Sequence, residues 1–158
     1  MLNLYNTLFL PHINYCLGVW GNTEKHNLHH IQMLQKRVIR SIGNVGYLAH
    51  TKDLFRKFNV LRCEDLFKIN VYKFMYKLMN NLLPCHIKSY FNMQQVTHTY
   101  STRQVGNLAI TKYKTELYSK SIRILGPKLW NNLPEEIKAS PSLNSFKKNV
   151  TKFIQDLN

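Results

Sequence analysis

Three stretches of this chain repeat apolar side chains every three or four residues. That period constrains the fold more than any other feature, because it builds one apolar stripe on an α-helix and none on a strand. From Ser142 to Leu157, Leu143, Phe146, Val150, Phe153, Ile154 and Leu157 fall on one face, with Lys148 and Lys152 opposite. From Thr23 or Glu24 to about Ile42, Leu28, Ile31, Leu34, Val38 and Ile42 make a packing face, while His29, Lys36, Arg37 and Arg40 make a basic one. Thr23 is the expected N-cap there, and Gly43 and Gly46 close the far end. From about Glu64 to Asn80 two stripes coexist, Phe67, Val71, Phe74 and Leu78 beside Ile69, Tyr72, Tyr76 and Met79. Only Asn70, Lys73 and Lys77 remain for solvent, so this segment reads as the central helix.

The intervening sequence is weaker in pattern. Leu4, Leu8, Ile13, Leu17 and Trp20 recur at roughly helical spacing, with Pro11 placed to kink that rod or to start a second helix. A short helix is expected over Thr51 to Phe58. Between Phe91 and Lys114 the period fades into Thr, Ser, Asn, Gln and Gly, and only Asn107 to Thr111 resembles a short strand. Beyond it a helix runs from about Leu117 to Asn132, interrupted at Gly126-Pro127, and a turn at Pro134 leads into Glu135 to Ala139. The expected fold is mainly α, a compact bundle of about five to seven helices, with an irregular or short-β connector near residues 91–116. A helical unit over 1–90 and a C-terminal helical unit over 117–158, packing on the first, flank that connector.

Charge then narrows the partners. Twenty-two Lys and Arg against eight Asp and Glu leave +14, spread along the whole length. So much positive charge repels itself unless a polyanion neutralises it, which points to nucleic acid. An anionic membrane is the competing polyanion, but no run of about 18 apolar residues exists and no helix sets a long basic face against an uninterrupted apolar one. Three widely spaced cysteines, Cys16, Cys63 and Cys85, fit reduced thiols, and no basic leader or cleavage site marks a signal peptide. The expectation is an intracellular protein of nucleus or cytoplasm, not a secreted one.

Catalytic chemistry is thinly supplied. Two-metal sites need converging carboxylates, whereas the aspartates are Asp53, Asp65 and Asp156, and the pairs Glu64-Asp65 and Glu135-Glu136 stand at helix starts, where they suit the helix dipole. His26, His29 and His30 share a helical turn and Cys85 adjoins His86, but neither group has the paired spacing of a zinc site. No Gly-rich phosphate loop occurs. No catalytic residue, metal or cofactor is therefore assigned. The expected binding residues are Lys36, Arg37, Arg40, Arg103, Lys112, Lys114, Lys120 and Arg123, positioned to meet phosphates while Tyr100, Tyr113 and Tyr118 stack on bases or sugars.

Several local motifs share one resemblance. Leu4-Tyr5-Asn6-Thr7-Leu8, Pro11 to Cys16, Val19 to Asn22, Gln35 to Arg40, Tyr100-Ser101-Thr102-Arg103, Gly126 to Pro134 and Ser140-Pro141-Ser142-Leu143 with Phe146-Lys147 occur in an order that resembles the C-terminal part of reverse transcriptases of non-LTR, jockey-like retrotransposons. The resemblance implies a thumb-like unit over 1–90, a parent that performs RNA-directed DNA polymerisation, and Mg²⁺ held at a palm motif of Tyr-x-Asp-Asp type that this sequence does not contain. It implies a non-catalytic fragment that grips an RNA–DNA hybrid or duplex without regard to sequence, with the parent's palm as a possible partner. A basic protein-interaction module and a functionless relic of such an element are the alternatives.

Overall fold

In the computed structural model, which describes residues 1–91 and 107–157, the mainly helical reading is confirmed. Among the described residues there are ten helices, five of them seven residues or longer, and no strand. The Asn107–Thr111 strand expected from sequence is not formed; among the described residues Leu108 alone makes an isolated bridge, and its N–H donates to Asn131 Oδ1 at 3.0 Å. No described helix is long and apolar enough to cross a membrane.

The chain divides into two units, Met1–Phe67 and Lys68–Asn158. In the first, α1 covers residues 2–14 as Leu2–Leu4, a π-helical turn Tyr5–Phe9, and Leu10–Asn14. The π turn lies directly before Pro11, which lacks the N–H of a regular turn and whose ring crowds the preceding carbonyls. It also explains why the core stripe is not the expected one. On a regular helix Tyr5 and Ile13 would stand about 80° apart, and the extra residue of a π turn brings them to within about 20°. Both are buried, whereas the expected Leu4 and Leu8 are exposed. Cys16, with φ 49°, turns the chain into α2, Leu17–Trp20. Next come α3 (Lys25–Gly43), α4 (Lys52–Lys57) and the start of α5 (Cys63–Met79).

The N-cap of α3 is Glu24, one residue after the expected Thr23, whose hydroxyl instead accepts from Asn27 Nδ2 at 3.1 Å. At the other end Asn44, not a glycine, takes the left-handed conformation, and Val45 N–H returns to the Arg40 carbonyl at 3.2 Å. Gly43 serves close approach, since a Cβ there would stand 3.1 Å from Leu54. Burial rotates α3 away from its expected face. Leu34 is 52% exposed, while Gln35 and Ile39 are at 1% and 0%. Ile39 joins Tyr5 and Phe55 in one cluster, and Ile13, Leu17, Leu28 and Cys63 form another.

In the second unit no residue from 69 to 79 of α5 is exposed, and Met75, which neither expected stripe includes, is fully buried. After α6 (Cys85–Lys88) and α7 (Glu116–Ser119) comes α8, Ile122–Asn131, which runs unbroken through Gly126-Pro127. The expected interruption falls earlier, at Lys120-Ser121. Gly126 is needed because a Cβ would lie 2.6 Å from Met75 Sδ. α9 (Glu135–Lys138) and α10 (Leu143–Asp156) complete the unit, with Ser142 capping α10 by accepting from Ser145 N–H at 3.2 Å. Phe146 of α10 stacks on Tyr76 at 4.4 Å and meets Trp130 at 5.9 Å. Trp130 is thus a core anchor.

Candidate nucleic-acid interface

The basic face of α3 is built around a buried amide. Gln35 Nε2 donates to Tyr5 Oη and to the Leu61 carbonyl, each at 2.8 Å, and its Oε1 accepts from Cys63 N–H at 3.2 Å. This network ties α1, the segment before α5 and the first turn of α5 to one point on α3. Burial shifts two of the groups joined here: it pushes the Tyr5 phenol up against the opposing effect of the Gln35 bond, and, followed by the Glu64 charge, it pushes the Cys63 thiol up to about 11.

Above the amide lies a cleft of about 320 Å³, which Gln35 helps to floor. Lys36 borders it together with His50, Lys52 and Arg62, and Phe55 supplies an apolar wall. Arg62 holds its guanidinium 5.9 Å from the Phe55 ring. One carboxylate, Glu64, also lines the cleft and is engaged by Gln32 Nε2 at 2.5 Å. Two lysines, an arginine and an imidazole thus line a space large enough for a phosphate and part of its sugar.

Arg37 and Arg40 border a second, shallower depression with Ser41, Val45 and Tyr47. Their guanidinium groups are partly committed. Arg40 Nε donates to the Ala49 carbonyl at 2.8 Å, and Arg37 Nη2 reaches Tyr47 Oη at 3.4 Å with the ring 5.9 Å away. Both fold the segment after α3 back along the helix. Arg40 therefore has a structural task that its place on the basic face does not reveal.

In the second unit Lys112 and Lys114 are exposed. Lys120 pairs with Glu116 at 3.2 Å, and Arg123 lies over the Tyr90 ring at 5.3 Å. Tyr113, expected to stack on bases, already accepts from Lys128 Nζ at 2.9 Å, and that amine sits 4.7 Å from its ring. Arg103 and Tyr100 lie outside the described residues. Of the expected residues, Lys36, Arg37 and Arg40 share one helix. Sequence reasoning missed His50, Lys52 and Arg62, since they fall on a short helix and two connections with no period to place them opposite Lys36.

Magnesium of the polymerase kind does not fit these residues. Among the described residues no three His, Cys, Asp or Glu side chains converge. Asp53 and Asp156 are exposed, Asp65 is buried, and His26 and His30 meet edge to face at 5.0 Å with no third ligand.

No family model matches the chain, and no solved structure matches it. Over 77 residues, 49% of its length, the chain is 29% identical to the RNA-directed DNA polymerase from mobile element jockey of Drosophila melanogaster. It spans 8% of the length of that protein, so the similarity is distant, partial and to a retrotransposon polymerase.

Proposed function

We propose that the chain is a non-catalytic, thumb-like and post-thumb part of a retrotransposon reverse transcriptase that holds the backbone of an RNA–DNA hybrid or duplex without reading its sequence. The observation that carries this reading is the cleft on α3, where Lys36, Lys52 and Arg62 converge beside one already engaged carboxylate. Cations with free donors bind phosphate oxygens and release condensed counterions, which yields affinity without base contacts. The similarity to the jockey polymerase supports the same reading from another direction. Chemistry would be supplied by the polymerase body, and the working compartment would be the nucleus or cytoplasm, where such nucleic acid is met.

The test is fluorescence anisotropy with a labelled RNA–DNA hybrid and a matching duplex across about 50 to 200 mM salt. Binding should weaken steeply with salt and differ little between sequences. Lys36→Gln, Lys52→Gln and Arg62→Gln together should lower the slope of log affinity against log salt by about 2 to 3, one unit per lost phosphate contact. An unchanged slope in the folded triple variant removes the cleft from the interface.

A second reading, docking of a protein, is favoured by one observation: Met1, Leu4, Leu8, Tyr15 and Val19 are all more than half exposed. It predicts that the hybrid binds with no appreciable salt slope, or not at all.

A further inference from the structure

The second unit carries a group of lysines that the cleft on α3 does not include. Lys73 and Lys77 stand one turn apart on α5, close enough for their charges to repel. Stacking of Phe146 on Tyr76 brings α10 against this part of α5, and Lys147 follows Phe146 directly. Lys73 and Lys77 are half-buried and Lys147 is exposed. None of the three makes an ion pair with a described residue, whereas Lys120 and Lys138 of the same unit pair with Glu116 and Glu135. Like charges packed together without a counter-charge are unfavourable in the free protein and become favourable once an anion sits among them. The local field agrees: burial, then Lys147 and Lys77, holds the Lys73 amine below the ordinary lysine range.

We infer that Lys73, Lys77 and Lys147 form an oxyanion site for a phosphate group, either free or within a polynucleotide strand. Three ammonium groups offer up to nine donors with no fixed fork, which suits the tetrahedral spread of phosphate oxygens and not a planar ligand. Lys73, with part of its stem covered, supplies the least hydrated and so most strongly interacting charge. The strand arm rests on the function proposed above; the free-phosphate arm does not.

The experiment is NMR of the full chain with ¹³C-labelled lysine side chains, titrated with inorganic phosphate and, at matched ionic strength, with chloride. The Lys73 and Lys147 signals should move together and saturate with phosphate alone. Lys73→Met and, separately, the surface variant Lys147→Gln should each weaken that saturation by about tenfold. If phosphate and chloride give the same unsaturated drift, the site is refuted. The source is decided by hybrid binding of Lys73→Met/Lys147→Gln. A salt slope lower by about 2 places a strand phosphate in the site. An unchanged slope, or a wild-type chain that binds no hybrid, leaves a free-phosphate site supported by the saturation, and in the latter case the proposed function fails while the site stands.

Discussion

Replacing Gln35 by methionine keeps the volume of the side chain and removes its hydrogen bonds, so it isolates what the buried amide does. Three partners lose a bond: Tyr5 Oη, the Leu61 carbonyl and Cys63 N–H. Leu61 is half-exposed and its carbonyl can turn to water, but Tyr5 is 2% exposed and Cys63 0%, so two groups are stranded in the interior. A buried group left unpaired costs about 1–3 kcal/mol, giving about 2–6 for the two. The variant in turn no longer desolvates a carboxamide, a relief of about 1–3 kcal/mol. The net expectation is a loss of about 1–3 kcal/mol. With a urea dependence of about 2 kcal/mol per molar, the midpoint of unfolding followed by circular dichroism should fall by roughly 0.5–1.5 M. Tyr5→Phe removes one of the same bonds without stranding Gln35, whose amide still has Leu61, and should cost only about 1 kcal/mol. If Gln35→Met lies within about 0.5 kcal/mol of wild type, the amide is not the organising point of the first unit.

Gly126→Ala and Gly18→Ala should differ in sign. The first meets Met75, fully buried and unable to swing into solvent, so about 1–3 kcal/mol of overpacking outweighs a gain of about 0.5–1 from the alanine and the melting temperature falls. The second meets nothing within 4 Å on α2 and should raise it. Stability should also fall between about pH 9 and 11. There the unfolded Cys63 thiol, titrating near its ordinary 9.0, has lost its proton while the folded one keeps it to about 11, so the folded state binds more protons and loses ground as pH rises. Tyr5, raised above its ordinary 10.0, extends the loss upward in pH, and Cys63→Ala should flatten the lower part of the urea-midpoint profile. A chromogenic disulfide reagent at neutral pH should find two fast thiols, Cys16 and Cys85, and a third, Cys63, released only on unfolding.

How much of this was legible in the sequence depends on whether one helical period decided the outcome. α10 emerged with its packing face, Phe146, Val150 and Ile154, because nothing interrupts its spacing between Ser142 and Asp156, although Leu157, expected on that face, is exposed. α5 was legible as central from its two stripes, although Met75, in neither, is fully buried. On α1 the same reasoning chose Leu4 and Leu8, because a π turn shifts the register by one residue and only a tertiary contact such as Tyr5 to Gln35 reveals it. On α3 a hydrophobicity argument excludes glutamine from the core, and Gln35 enters it because three partners distant in sequence satisfy its amide.

The segment Gly126 to Pro134 shows the same division between pattern and cause. As a motif it carried the family resemblance, yet Gly126-Pro127 suggested a break that the structure does not contain. Each position has a local task. Gly126 lets α8 approach Met75, Trp130 and Leu133 are buried, and Pro134 is the N-cap of α9. Asn131 takes the Leu108 N–H on its Oδ1 at 3.0 Å and returns Nδ2 to the Leu108 carbonyl at 2.9 Å, so a side-chain amide satisfies both backbone groups of Leu108. These tasks are all structural. The binding candidates lie elsewhere: helical periodicity singles out Lys36 on the basic face of α3, but not Lys52 or Arg62. The case for gripping nucleic acid therefore rests not on this segment but on Lys36, Lys52 and Arg62, which line one cleft.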